Sequence, residues 1–314
     1  MPKNKHLTIC SVSYSNSEFF ELNSELISRL NANTSFNWVV VENSPNNTGN
    51  RLDSSDARFQ IVEGVMKNNI NHWAPDSLHH AQGLNIAVKH VDTRYLVVMD
   101  PDFFIILDDW MKIIPSFMES EDISIFGAPW NPRWVNKYRY FPSPHLSIYD
   151  LDKISIKSLD FLPGDQNYIA KSPYHLNKFR LLKNRRSIAC QPDTGWHIYQ
   201  KYNRSESLFN YCVQPCFNPH EYLLDSNMYQ INKVFDLMLP DSWSFIPKKK
   251  DYYSTKYFKD MDYPDTTKLG CEEFLWRDKP FGFHFRGYRN NLKVSNIIND
   301  LRELLCHIGN DDSN

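Results

Sequence analysis

Leu7-Thr8-Ile9-Cys10-Ser11-Val12-Ser13-Tyr14 alternates apolar and small polar residues with the period of two expected of a strand. Ser15-Asn16-Ser17 then offers short polar side chains suited to a helix start, and a helical apolar pattern runs from Glu18 to about Leu30. Trp38-Val39-Val40-Val41 predicts a second strand, closed by the turn-rich Glu42-Asn43-Ser44-Pro45-Asn46-Asn47, and Arg58-Phe59-Gln60-Ile61-Val62 a short third one. A helix is predicted from Ala81 to about His90, because Leu84, Ala87, Val88 and Val91 share one face. It leads into Tyr95-Leu96-Val97-Val98-Met99, apolar at every position and therefore expected at the centre of a sheet covered on both sides.

That strand is halted by Asp100-Pro101-Asp102. Two carboxylates and a residue without an N–H are intolerable inside a ladder, so the pair is expected at the carboxyl end of the strand, the edge at which open α/β sheets bind ligands. Asp109 to about Ser120 predicts a further amphipathic helix, and Ile123 to Trp130 a further strand. Strands alternating with helices predict an α/β fold with a mostly parallel central sheet flanked by helices. From Asn131 to about Phe161 the pattern dissolves into aromatic and proline-rich sequence, which reads as loop. A helix from Thr194 to Tyr202 and a terminal amphipathic helix from about Asn296 to Ile308 are the clearest later elements. Residues 1–130 and 131–314 are read as two halves of one continuous domain sharing a cleft.

With 314 residues, 41% of them hydrophobic, the chain has material for a large core. A net charge of -2 provides no field that attracts a nucleic-acid backbone, so no nucleic-acid partner is expected. No apolar run is long enough to cross a bilayer and the first residues lack the apolar core of a signal peptide, from which a cytoplasmic protein is expected. Lys248-Lys249-Lys250, beside Tyr252 and Tyr253, leaves peripheral contact with an anionic membrane open, next to the plainer reading of a solvated loop. The 6 cysteines are scattered and expected to be reduced. Cys212, Cys216 and His220 could offer three zinc ligands, but a fourth is missing and Pro215 and Pro219 break any helix that would align them. The phosphate-binding glycine motifs of dehydrogenases and P-loop enzymes and the paired histidines of zincins are all absent.

Asp100 and Asp102, one residue apart at a strand end, can share a hard divalent cation such as Mn2+ or Mg2+, and such a cation suits a pyrophosphate whose oxygens gain charge as a bond to them breaks. Alone, an Asp-x-Asp is more often a solvated turn. Its surroundings add a resemblance. The Thr8–Tyr14 run, the strand ending at Glu42-Asn43-Ser44, the Gly83-Leu84-Asn85 helix start and the acidic pair after an apolar strand resemble, in that order, the blocks of GT-A glycosyltransferases of the family 2 type.

The resemblance covers the first 130 residues well and the rest loosely. It implies a GT-A fold and a metal-dependent enzyme of glycan biosynthesis, hexosyltransferase-like, that moves a sugar from a nucleotide-sugar donor to a glycan or other hydroxyl acceptor with inversion. In its terms the half up to residue 130 binds the nucleotide-sugar and the rest is the acceptor-binding and catalytic half. It places Ser13 and Tyr14 beside the base, Glu42 where relatives carry an Asp that grips base or ribose, and His80 or Asn85 at a helix start meeting the ribose and diphosphate. Asp193, in Gln191-Pro192-Asp193-Thr194-Gly195-Trp196, matches the base that takes the acceptor's proton, with a helix N-cap as the alternative role and Asp165 as the reserve candidate. His284 matches a late histidine returned to the metal or diphosphate, and Arg286 a phosphate-neutralising cation. Two rivals remain: a nucleotidyltransferase acting on a sugar phosphate, for which Ser15-Asn16-Ser17-Glu18 is a poor phosphate loop, and a catalytically degenerate domain that binds glycan or protein.

Overall fold

A computed structural model describes residues 7–46, 50–65, 75–131, 137–138, 140–164, 192–203, 205–216, 271–285 and 294–308. The first half runs β1 (Leu7–Ser13), α1 (Ser17–Leu30), β2 (Asn37–Glu42), β3 (Gln60–Glu63), α2 (Pro75–Ala87), β4 (Tyr95–Met99), β5 (Phe103–Ile105), α3 (Trp110–Ser120) and β6 (Ile123–Pro129). The second runs β7 (Pro142–Asp150), α4 (Trp196–Tyr202), β8 (Phe209–Cys212), β9 (Gln214–Pro215), β10 (Cys271–Trp276), β11 (Lys279–Phe285) and α5 (Val294–His307).

A seven-stranded sheet has the order β3-β2-β1-β4-β7-β6-β8, so strands from both halves build it. Its pairings are parallel apart from β7, which lies antiparallel between β4 and β6. This mostly parallel sheet flanked by helices is the α/β architecture expected from the sequence. β4 takes the middle position, as its unbroken apolar run requires. Tyr95, Val97 and Met99 face one core with Phe20 of α1 and Met111, Ile114 and Met118 of α3. Leu96 and Val98 face the other, with Ala81, Leu84 and Ala87 of α2 and Trp196, Ile198 and Tyr199 of α4. A second, four-stranded sheet has the order β5-β11-β10-β9 and packs its outer face on α1 and α5.

Several sequence expectations need correction. The segment read as loop from Asn131 to Phe161 contains β7, nine residues long and buried at every position. Its polar side chains escape the usual penalty for burial because they have partners: Ser143 Oγ donates to the Ala128 carbonyl at 2.9 Å, Ser147 Oγ to Tyr149 Oη at 3.0 Å, and Asp150 accepts Arg94 Nε at 3.2 Å and Nη2 at 3.1 Å. α2 begins at Pro75, well before Ala81. Proline suits a first helical turn, where its missing N–H has no partner to lose. The strand expected from Arg58 starts at Gln60, and α4 starts at Trp196 behind Gly195, whose φ of 79° is the left-handed conformation that glycine adopts without strain.

Candidate functional site

The chain crosses from one sheet to the other at Asp100-Pro101-Asp102, between β4 and β5. The Phe103 N–H donates to the Asp100 carbonyl at 3.0 Å, closing a four-residue turn in which Pro101 takes the second position. Asn23 of α1 braces this turn, its Nδ2 donating to the Pro101 carbonyl at 3.1 Å and the Phe103 carbonyl at 2.7 Å. The Asp100 N–H is held by the His145 carbonyl of β7 at 3.0 Å. On the other side, the Phe285 N–H donates to the Asp102 carbonyl at 2.9 Å, and β11 pairs with β5 so that His284 stands opposite Phe103.

These ties bring His284 to two carboxylates that lie far from it in sequence. His284 Nε2 is 3.2 Å from Asp102 Oδ1 and 3.7 Å from Asp100 Oδ2. One ligand atom from each of Asp100, Asp102 and His284 falls within 4.8 Å of the others. The histidine is sealed at 1% side-chain exposure, whereas the two carboxylates keep 21% and 28% and open the site to solvent. Two carboxylates at this spacing repel, and a cation between them removes the repulsion. Two hard oxygens and one imidazole nitrogen fit a divalent ion that keeps further positions for water or phosphate.

His80, on α2, places Nε2 3.2 Å from Asp100 Oδ1. Burial disfavours its imidazolium, but the charge and hydrogen bond of Asp100, with Asp193 and Asp102 behind it, outweigh burial and raise its pKa. Because α2 starts at Pro75, His80 and Asn85 lie inside the helix and not at its start. The free N–H groups that favour anions belong to the first turn, upstream of both. Asn85 is committed elsewhere: its Nδ2 donates to Asp160 Oδ1 at 3.1 Å and its Oδ1 accepts the Phe161 N–H at 3.0 Å.

Asp193 stands outside the three-ligand cluster. It forms an ion pair with Lys137, a residue that also lies over the Trp130 ring at 4.9 Å. Burial works against ionisation of Asp193, and the Lys137 charge and hydrogen bond, the Ser77 side chain and the Thr194 N–H more than offset it, so its carboxyl is held below the usual range. The helix cap is Gly195 and not Asp193, although the Asp193 carbonyl accepts the Trp196 N–H at 3.0 Å. Lys137 and Ser77 carry no motif of their own, and only the fold brings them to Asp193.

At the carboxyl ends of β1 and β2, Glu42 is 2% exposed. Its carboxylate accepts Ser13 Oγ at 2.9 Å, the Ser44 N–H at 2.8 Å and the Leu52 N–H at 2.9 Å. The longer acid therefore braces its own loop from within. Ser13 is likewise buried and bound to Glu42. Tyr14 differs, with 56% exposure at the end of β1. Asp165, Arg286, Cys190, His220 and Lys248 to Lys250 lie outside the described residues. Burial pushes the Cys212 and Cys216 thiols up, and among the described residues neither belongs to a group able to hold a metal. Among the same residues, no helix is long and apolar enough to cross a membrane.

No protein-family model and no curated protein sequence matches the chain. Solved structures with a similar fold include a mannosyltransferase from Pyrobaculum calidifontis in complex with GDP-Man and Mn2+, at 14% identity over 51% of this chain and 48% of that one, with a TM-score of 0.36. Staphylococcal (S. aureus) TarS, residues 1–349, is similar at 12% identity over 50% of each chain, with a TM-score of 0.33. The galactosyltransferase LgtC, in complex with donor and acceptor sugar analogues, is similar at 9% identity over 71% of this chain and 81% of that one, with a TM-score of 0.38. The match thus spans about half the length of the first two proteins, and likeness at this level does not bear on the reaction of this chain.

Proposed function

We propose that the chain is a divalent-metal-dependent glycosyltransferase that moves a sugar from a nucleotide-sugar donor to an acceptor hydroxyl. The observation that carries this is the convergence of Asp100, Asp102 and His284 within 4.8 Å at the carboxyl end of the central strand. A cation held there, Mn2+ or Mg2+, supplies positive charge to the diphosphate oxygens as the sugar leaves. His80 and the His145 carbonyl hold Asp100 in place, and β11 delivers His284 against Asp102. The exposed Tyr14 ring, at the end of β1, is suited to stack on a nucleotide base.

Asp193 is the base in this scheme. Its oxygen takes the acceptor's proton while the acceptor oxygen bonds to the sugar carbon and the bond from that carbon to the diphosphate breaks, which inverts the carbon. Lys137, Ser77 and the Thr194 N–H keep the carboxylate ionised for that step, although the same donors lower its basicity.

The test is calorimetry of UDP and GDP binding, with Mn2+ and with a chelator, on the parent and on Asp102→Asn. Affinity for one nucleotide that falls at least about tenfold on chelation and in the variant is expected, since Asp102 contributes one of the protein's three ligands. Affinity indifferent to both would remove the metal-site assignment.

A further inference from the structure

His284 turns only its Nε2 edge to the acidic pair. A cation ligated there uses the lone pair of an unprotonated Nε2, which leaves the ring's proton on Nδ1. That Nδ1 is buried and has no hydrogen-bond partner among the described residues. It faces Glu272, whose Oε2 is 3.9 Å away and whose side chain is 1% exposed.

The register explains the juxtaposition. Glu272 of β10 stands directly opposite His284 of β11, and His284 opposite Phe103 of β5, so the three form a row across the second sheet. The His284 ring is held in that row, 5.7 Å from the Phe103 ring and stacked at 4.7 Å on His145. Burying a carboxylate is costly unless donors or positive charge meet it.

We propose that Glu272 is a positioning residue for the metal site, accepting the Nδ1–H of His284 so that Nε2 stays bare and aimed at the cation. It rests on the metal-site proposal above. Closing 3.9 Å to hydrogen-bond distance takes about 1 Å of movement at the end of a flexible side chain. The contact fixes the tautomer and the ring plane and strengthens Nε2 as a ligand, as carboxylates behind metal-binding histidines do.

The experiment is a Mn2+ titration of the full chain, following free Mn2+ by electron paramagnetic resonance, for the parent, Asp102→Asn, Glu272→Met and Glu272→Gln, with the melting temperature of each measured without metal. Glu272→Met is expected to bind Mn2+ about 10- to 100-fold more weakly without melting lower than the parent, because it loses the acceptor and not packing. Glu272→Gln, which keeps an acceptor oxygen, is expected to restore most of the affinity. Should Glu272→Met not fold, Glu272→Asp takes its place, since withdrawing the carboxylate by one methylene predicts the same weakening. Parent-like affinity in Glu272→Met, or equal weakening in Glu272→Met and Glu272→Gln, overturns the proposal while leaving the site intact. A parent that binds no Mn2+, or an Asp102→Asn variant that binds it as well as the parent, overturns the site and this inference together.

Discussion

A carboxylate works as a base only if it is ionised when the acceptor arrives, and Asp193 meets that condition through the donors around it. The same environment would also serve a purely structural ion pair with Lys137, and the two roles separate in kinetics. As a base, Asp193→Asn loses about a hundred- to ten-thousand-fold in turnover with donor binding unchanged. As a structural partner only, it loses about 1–3 kcal/mol of stability through the stranded lysine and little turnover. Lys137→Met sharpens the distinction. Lys137 lowers the pKa of Asp193, so its removal raises that pKa and moves the acid limb of the kcat/KM profile to higher pH. A limb that stays in place would mean that the lysine does not act on the reaction through Asp193. Glu42 illustrates the opposite case: an acid in the expected place whose oxygens are already committed to Ser13, Ser44 and Leu52.

Elements whose burial is written in apolar residues were readable in the sequence to within a residue or two, among them β1, α1, β4, α3 and β6. β7 was not, because its burial is written in partners: Ser143, His145, Ser147 and Asp150 are polar, and Pro142 and Pro144 read as loop. The site divides the same way. Asp100 and Asp102 were visible as an acidic pair ending an apolar strand and His284 only through the family resemblance of its segment, whereas Lys137 and Glu272 acquire meaning only from residues that the fold brings opposite them. The hidden strand gives a direct test at Gly127, where β6 meets β7. A Cβ there would lie 2.2 Å from the Leu146 carbonyl oxygen and 2.9 Å from Ser147 Cα, both backbone atoms of β7, the strand beside β4. Neither can yield without moving the ladder, so Gly127→Ala is expected to cost at least about 1–3 kcal/mol and several degrees of melting temperature. An unchanged melting curve would contradict the β6–β7 register.

At the scale of the molecule, the same ionic contacts that join separate elements make stability depend on pH. Asp160 ties the 140–164 segment to α2 through Asn85 and to α4 through His197, whose Nδ1 lies 2.6 Å from its Oδ2. Burial raises its pKa, and the His197 hydrogen bond, the Leu162 N–H, the Asn85 amide and the His197 charge outweigh burial, leaving the pKa below its ordinary value. Asp193 is lowered as well, by Lys137 and its other donors. A carboxyl with a lower pKa in the folded state binds fewer protons there than when unfolded, so its contribution is full above the unfolded value of about 4 and is lost as pH falls through the folded value. Melting temperature is therefore expected to hold steady, as far as these two groups set it, down to about pH 5 and to fall below about pH 4. Asp160→Asn isolates one arm of this dependence. The variant should be less stable than the parent near neutral pH and approach it in acid, because the parent's carboxyl becomes protonated there and the substitution then removes no charge. Since the Asp160 side chain is 44% exposed, solvent screening makes the gap smaller than for a buried pair and sensitive to salt. Parallel curves for parent and variant from neutral to acid pH would show that the α2–α4 link does not depend on the ionised carboxylate, and would leave acid sensitivity to Asp193 and the remaining acids.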